Sequence, residues 1–472
     1  DADADTTITA DTDDQIDIRI AGADDFQFTA NTLTALSGST IATDTIAETT
    51  STSGVTIDGL LIKDSTAAFA DGAVATPSIT NTGDLNTGVY FPAVDTVGVV
   101  AGGTEQFRFG SIEGGANPIP GGNKNLLLNG GFTVAQRSSV TGIGGTNYVY
   151  YGTDGWTHYG TSSSGRYTAS QATAGTTDGP FRYCLQVDVT TADTDVSGNN
   201  ISAVLQKMEG QNLQHLNWGQ ATNDYPLALS FWVKSPKSGT HCVAVYLQEG
   251  NDSCTTEYTV ASADTWQYVT VDFPAPGTNV PVIDNDANAS LWLVFPLMAT
   301  GIYQATADAW QTSTEGYATS NQQNLLDNTG NDFFLANVQL ELGSVSTSFQ
   351  AEDVGTTLHK CQRYYERVDL AQTSGEYFMN GHAYSTTFLV GVHHYRIKKR
   401  AAPTVTFSAA ATWRNYHENT NTVCSGIGIQ SAASVNSVGV YGQVGSGLTA
   451  GNGGTLSRDG TDTTFIEISS EL

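Results

Sequence analysis

Leu227-Ala228-Leu229-Ser230-Phe231-Trp232-Val233-Lys234 alternates large apolar side chains with other residues over its whole length. Successive side chains of a strand point to opposite faces, so a period of two marks a β-strand with one buried side. The pattern recurs outward from this stretch. Cys242-Val243-Ala244-Val245-Tyr246-Leu247, Trp266-Gln267-Tyr268-Val269-Thr270-Val271-Asp272-Phe273 and Phe333-Phe334-Leu335-Ala336-Asn337-Val338-Gln339-Leu340-Glu341-Leu342 repeat it. Gly, Asn, Asp and Pro separate the runs and supply turns. Strands at this spacing predict a two-sheet β-sandwich over residues 125–352.

The rest of the composition agrees with an all-β chain. Charged residues are 14% of the 472, and Gly numbers 50. Helix-favouring Lys and Glu are scarce, while Thr, Val, Ile and aromatics suit a pleated surface. The length implies two to four domains. With 19 basic against 47 acidic residues the net charge is −28. A nucleic-acid partner needs a basic face, and an anionic membrane a polybasic patch, so neither is expected. Residues 1–120 are the most acidic part, with 18 acids and 3 bases. Five cysteines with no CxxC predict free thiols in a reducing cytosol, although Cys242 and Cys254 flank a possible hairpin. No apolar run approaches a membrane span, no leader is visible, and Leu291-Trp292-Leu293-Val294-Phe295 is read as a buried strand.

Residues 1–120 contain a repeat. Ile16 to Phe28 and Val97 to Phe109 align at an offset of 81, matching Ile16 and Ile18 to Val97 and Val99, and Phe26 and Phe28 to Phe107 and Phe109. Each copy alternates, turns at Gly and an acid, and alternates again, which predicts a β-hairpin. Large apolar residues are too sparse here to fold alone, so interchain pairing into an intertwined shaft is expected. A Gly/Pro-rich linker follows at 111–124. Leu358, Cys361, Gln362 and Tyr365 lie at helical spacing, predicting a connecting helix at 356–368. Strands resume over 369–472, predicting a C-terminal β-domain.

Chemistry-bearing clusters are few. The acids of Asp1 to Asp17 and of Asp284-Asn285-Asp286-Ala287-Asn288 suggest calcium, but the second lacks the turn Gly and distal Glu of a calcium loop. A solvated strand face and an ordinary turn explain them. His393 and His394, adjacent on a strand, face opposite ways and do not share a metal. No metal, cofactor or catalytic residue is expected, and no nucleophile, zinc or P-loop signature occurs. Arg396, Lys398, Lys399 and Arg400 form the one basic patch. It would touch an anionic glycan or an acidic neighbouring protein, or simply be a solvated strand end. Trp413, Tyr416 and His417 lie in a polar stretch where an exposed ring would stack on a sugar, or would pack as a loop aromatic. Trp232, Trp266 and Trp292 read as core; Trp156 and Trp218 neighbour Gly and polar residues, where a ring would stack on a sugar or pack onto the sandwich as a loop aromatic.

Four stretches resemble bacteriophage tail-fibre and fibre-like virion proteins. Gly54 to Asp64 and Asn86-Thr87-Gly88-Val89-Tyr90-Phe91-Pro92 are similar to fibre-shaft segments. Asn125-Leu126-Leu127-Leu128-Asn129-Gly130-Gly131-Phe132 resembles the opening strand of a carbohydrate-binding-module-like jelly roll. Gln339-Leu340-Glu341-Leu342-Gly343-Ser344, followed by Cys361-Gln362-Arg363-Tyr364-Tyr365, resembles its last strand and the helix after it. The resemblance implies a homotrimer in the virion, assembled in the host cytoplasm beside other tail, neck or baseplate proteins. It implies attachment to a host-surface glycan or protein, without enzymatic activity. The tip, 369–472, is the expected seat of recognition, through Arg396, Lys398, Lys399, Arg400, Trp413, Tyr416 and His417. A polysaccharide-degrading tailspike and a secreted cellular carbohydrate-binding protein are the alternatives.

Overall fold

The computed structural model describes residues 6–12, 15–20, 23–29, 32–36, 40, 69–110 and 124–472, apart from 146–147, 151, 162–163, 176–177, 221–224, 371–376, 419 and 460–463. The Gly54–Asp64 stretch and the linker at 111–123 lie outside these residues. The chain divides into two compact units, Asp1–Phe109 and Gly110–Leu472. It is nearly all β. Among the described residues no helix is long and apolar enough to cross a membrane.

The first unit holds two four-stranded antiparallel meanders. One is β1 (Thr7–Thr12), β2 (Gln15–Ile20), β3 (Ala23–Thr29) and β4 (Thr32–Ala35); the other is β5 (Ile79–Asn81), β6 (Asp84–Tyr90), β7 (Thr96–Ala101) and β8 (Thr104–Gly110). Both copies of the repeat are therefore hairpins, β2–β3 and β7–β8. The register of the first puts Ile16 opposite Phe28, Ile18 opposite Phe26, Ile8 opposite Ile18 and Phe28 opposite Leu33. Directly opposed residues share a face. One face is thus wholly apolar, and the other carries Asp17 with Gln15 and Gln27 bonded to its carboxylate. Ile8 is 74% exposed, and Ile16, Phe28 and Leu33 are also exposed, so the apolar face has no second layer among the described residues.

The second unit begins with the sandwich. Its strands are β9 (Val140–Ile143), β10 (Val149–Tyr150), β11 (Trp156–Thr161), β12 (Arg166–Thr173), β13 (Tyr183–Thr191), β14 (Ile201–Glu209), β15 (Leu227–Lys234), β16 (Gly239–Leu247), β17 (Asp252–Val260), β18 (Gln267–Phe273), β19 (Ala289–Ala299), β20 (Trp310–Gln311) and β21 (Asp332–Leu342). The front sheet runs β18-β15-β21-β13-β12-β9 and the back sheet β10-β11-β14-β19-β16-β17-β20. Leu227, Leu229, Phe231 and Val233 of the front meet Val243, Val245, Leu293 and Phe295 of the back in one sealed core. Cys254 joins this core, whereas Cys242 points out of the back sheet, so the two thiols lie on opposite faces. All five cysteines are free and buried.

The two motifs that open and close the sandwich touch each other. Asn125 donates from Nδ2 to Val338 O at 2.9 Å, and its Oδ1 accepts from Leu340 N at 3.0 Å. Val338 N donates to Gly130 O at 2.9 Å. A Cβ at Gly130 would collide with the Val338 carbonyl oxygen, which is why glycine stands there. Asn129 closes the turn, accepting from Val134 N and donating to Val134 O and Asp154 O.

The helix α1 spans Val354–Gln362, with Asp353 as its N-cap accepting from Thr356 N at 3.1 Å. It lies earlier than the predicted 356–368. Residues 365–369 instead form β22 (Tyr365–Asp369), drawn into a sheet by β31 (Phe465–Ser469). Between them run β23 (Tyr377–Ala383), β24 (Phe388–His394), β25 (Thr404–Phe407), β26 (Trp413–His417), β27 (Thr420–Val423), β28 (Gly426–Ser431), β29 (Ser437–Gln443) and β30 (Gly453–Arg458). They make a three-stranded sheet, β22-β31-β25, and a seven-stranded one, β27-β26-β30-β23-β24-β29-β28. These sheets close over their own core of Leu389, Trp413, Val440, Leu456, Ile466 and Ile468. Polar links tie them to the sandwich. Arg363 grips the buried Glu209 with Nε and Nη2 at 2.7 and 2.8 Å, Arg137 pairs with Glu471 at 2.8 Å, and Arg400 Nη1 donates to Ala287 O at 2.9 Å.

Candidate functional site

The residues expected to form a recognition surface in the tip are not presented together. Trp413 is 0% exposed; its Nε1 donates to Ser408 Oγ at 3.0 Å and its ring lies edge-on to Phe378. A ring sealed in the core cannot stack on a sugar. His417 is also buried, by packing at the end of β26, and neither ring nitrogen has a hydrogen-bond partner among the described residues. Tyr416 alone of the three reaches solvent, edge-to-face with exposed Tyr377.

The basic patch separates in the same way. Lys399 is 0% exposed, its Nζ 2.7 Å from Glu366 Oε2 and 2.5 Å from Gln362 O. Arg400 donates to Ser470 O, Ala287 O and Glu471 O, so it holds backbone in place. Arg396 and Lys398 remain exposed, Arg396 with Nε 3.7 Å from Glu366 Oε1. The cause is a buried carboxylate on β22 that draws cations inward. His393 stacks on Phe378 while His394 is exposed, as opposite faces of β24 require. In the Asp284–Asn288 stretch Asp286 accepts from Asn288 N at 2.9 Å, an ordinary Asx turn.

A different surface gathers aromatic side chains. On β15 the core set is odd-numbered, so Trp232 and Lys234 point outward from the front sheet. Trp232 stands opposite Tyr268 of β18, which is 45% exposed, and Lys234 opposite Phe334 of β21. Phe181, before β13, and Trp266, before β18, fold over from the ends. Ring centroids form a connected series: Tyr268–Trp232 at 5.6 Å, Trp232–Phe181 at 5.7 Å, Phe181–Trp266 at 4.7 Å and Trp266–Phe334 at 6.0 Å. All five residues keep part of their surface in solvent. Lys234 Nζ sits 4.1 Å from the Phe334 ring centroid and 5.6 Å from that of Trp266, a cation over π-faces. The Trp266 Nε1 is buried with no acceptor, and so is the Ser230 hydroxyl on the same face.

The lower part of this face is covered. Gln339 and Glu341 point outward and bind the returning segment through Thr347 and Ser348. The back sheet is covered more fully: Tyr303 and Tyr317 of the 301–318 segment close over Tyr246 and Trp292. Among the described residues the front sheet therefore presents the broader aromatic surface, and on the back sheet Tyr148 is exposed over Tyr159 and Trp292. Beside it, at Phe181, lies a cleft of about 250 Å³ between the opening motif, β13 and α1. Thr133, Arg182, Asn337, Phe349 and Glu352 line it with Phe181. Among the described residues no group of three or more metal-ligating side chains occurs.

The sequence reads Trp232, Trp266 and Trp292 as core, and gives Trp156 and Trp218 either a sugar-stacking or a packed role. The structure buries Trp292, Trp156 and Trp218, whereas Trp232 and Trp266 are half-buried on the surface, against the core reading. The parity of the β15 alternation carried the signal for Trp232.

No protein-family model matches the chain, and no curated protein matches it. Solved structures to which it is similar over part of its length include the enzymatically active domain of tailspike protein 4 of bacteriophage CBA120, at 12% identity and TM-score 0.23 over 46% of this chain and 21% of that one. The CBM22-1–GH10 modules of endo-1,4-β-D-xylanase 10B of Clostridium thermocellum, complexed with xylohexaose, are 13% identical with TM-score 0.22, over 46% of this chain and 30% of that one. A family 11 carbohydrate-binding module of Clostridium thermocellum, in complex with a β-1,3-1,4-mixed-linked tetrasaccharide, is 12% identical with TM-score 0.23, over 45% of this chain and 100% of that one. The matched stretch thus spans less than a third of the first two.

Proposed function

We propose that this chain is a non-catalytic, glycan-binding component of a bacteriophage virion, of tail-fibre type, whose sandwich touches a host-surface saccharide with the aromatic face of its front sheet. The series of five half-exposed rings from Tyr268 to Phe334 supports this most directly. Aromatic faces stack on the apolar face of a sugar ring. Recognition shifts from the C-terminal loops to the sandwich because Trp413, His417 and Lys399 are in the core. Trp266→Ala is expected to weaken binding to host-surface polysaccharide about tenfold or more, with the melting temperature close to that of the parent chain. Affinity electrophoresis in gels containing the polysaccharide measures this, and unchanged retardation would exclude the face.

The virion assignment rests on the shaft and jelly-roll resemblance. The bare apolar face of the first meander adds support for a homotrimer, since Ile8, Ile16, Phe28 and Leu33 need a second layer. Sedimentation equilibrium of the full chain should give three times its 49.7 kDa. Ile16→Asp combined with Phe28→Asp should shift the mass toward one chain. A parent chain that sediments as a monomer at micromolar concentration rules the trimer out.

A further inference from the structure

The charge distribution around the aromatic face speaks to what kind of saccharide it takes. The chain has 19 basic residues against 47 acidic ones, so cations are scarce and most of those on the second unit are committed. Arg137, Arg363, Arg367 and Lys399 pair with carboxylates, and Arg400 holds backbone carbonyls. Two cations at the aromatic face are not committed. Lys234 has no carboxylate partner among the described residues and lies over the rings of Phe334 and Trp266. Arg182 is exposed, lines the cleft, and its guanidinium makes no hydrogen bond or ion pair among the described residues. It directly follows Phe181, the one ring shared by the aromatic series and the cleft. The carboxylate in the cleft wall, Glu352, is already engaged by Lys360 and by Thr357 Oγ1, the latter at 3.0 Å.

We infer that the ligand is an acidic saccharide, carrying carboxylates on its sugar rings, whose terminal residue seats in the cleft with its carboxylate against Arg182. This inference rests on the glycan-binding reading of the same face. A cleft of about 250 Å³ is small beside the roughly 300–1,000 Å³ of drug-sized sites, so it holds a residue-sized group, not a chain. A planar guanidinium matches a carboxylate with two parallel hydrogen bonds. The amide of Asn337, whose Nδ2 reaches Pro180 O at 3.2 Å, lies in the same wall with its oxygen available to a sugar hydroxyl. Inner residues of the ligand then run from Phe181 across Trp266 and Trp232, with Lys234 beside their carboxylates. The free cations thereby meet the one charge type that an acidic chain otherwise repels.

The test uses the full chain and oligosaccharides from polygalacturonate, alginate and hyaluronate, each before and after reduction of its carboxylates to alcohols. Calorimetric titration should show at least one acidic set binding about tenfold or more tighter than its reduced form, with affinity falling as salt rises. Arg182→Ala should remove most of that preference, and Arg182→Lys should restore part of it. Tyr268→Ala, at an exposed position, should weaken acidic and reduced forms alike. Equal binding of acidic and reduced forms, or an unaltered preference in Arg182→Ala, overturns the inference while a loss in Tyr268→Ala leaves the glycan-binding face standing. If Tyr268→Ala and Arg182→Ala both bind as the parent chain does, or no set binds the parent, the face itself is wrongly assigned.

Discussion

Glu366→Leu is expected to destabilise the second unit by about 3–5 kcal/mol, and Lys399→Met by a similar amount. Changing both, Glu366→Leu with Lys399→Met, should cost far less than either alone. Glu366 and Lys399 are fully buried and 2.7 Å apart, and Lys399 also donates to Gln362 O at the end of α1. Burial pulls the Lys399 ammonium below its ordinary value, and Glu366 pushes it back up without fully restoring it. The charged pair therefore survives only because each half is present. Glu366 Oε1 has no hydrogen bond among the described residues, and Arg396 approaches it at 3.7 Å without bonding. Removal of one partner leaves a charge without compensation in a dry site, whereas two apolar side chains leave none. Urea unfolding of the four proteins closes a double-mutant cycle. Additive losses would mean that the two groups do not act as a pair.

Trp156→Ala should cost about 3–5 kcal/mol, more than Trp266→Ala on the same sandwich. Trp156 opens β11, is fully buried, and packs 5.1 Å from the Phe132 centroid and 6.4 Å from that of Phe295. Its ring thus joins the opening motif to the centre of the back sheet, and deletion leaves a ring-sized cavity between them. Trp266 loses only partial burial. Denaturant midpoints for both variants decide the matter, and a Trp156→Ala protein as stable as Trp266→Ala would show that the core does not depend on this contact.

Both Trp residues also show how far a sequence can be read. The strands were legible wherever the alternation was strict, and the hairpins at Ile16–Phe28 and Val97–Phe109 because their partners are close in sequence. Placement failed for Trp232 and Trp266 because neighbours' polarity was weighed above parity. Trp232 stands in an apolar run yet has the outward phase, while Trp156 follows Asp154 and Gly155 yet begins a strand with its ring inward. The helix was drawn too far because Tyr365 fits its periodicity; the strand partner that overrides this, Ser469, is about a hundred residues away. Lys399 looked like surface because its partner, Glu366, is 33 residues earlier. Phe181 and Trp266 come from strand ends, so only the closed fold brings them to the face.

The joined motifs at the two ends of the sandwich have a mechanical consequence. Lys124 N donates to Gln350 Oε1 at 3.1 Å, Leu126 N to Leu340 O at 2.8 Å, and Asn125 is bonded on both sides to β21. The chain therefore enters and leaves the sandwich at one strap. Tension applied between residue 124 and residue 350 acts at the shared end of this antiparallel pairing and is borne by those few bonds in turn, and the more than two hundred residues between them hang beside the load path while the bonds hold. The front sheet can hold its rings at fixed spacing while the backbone on either side is under pull.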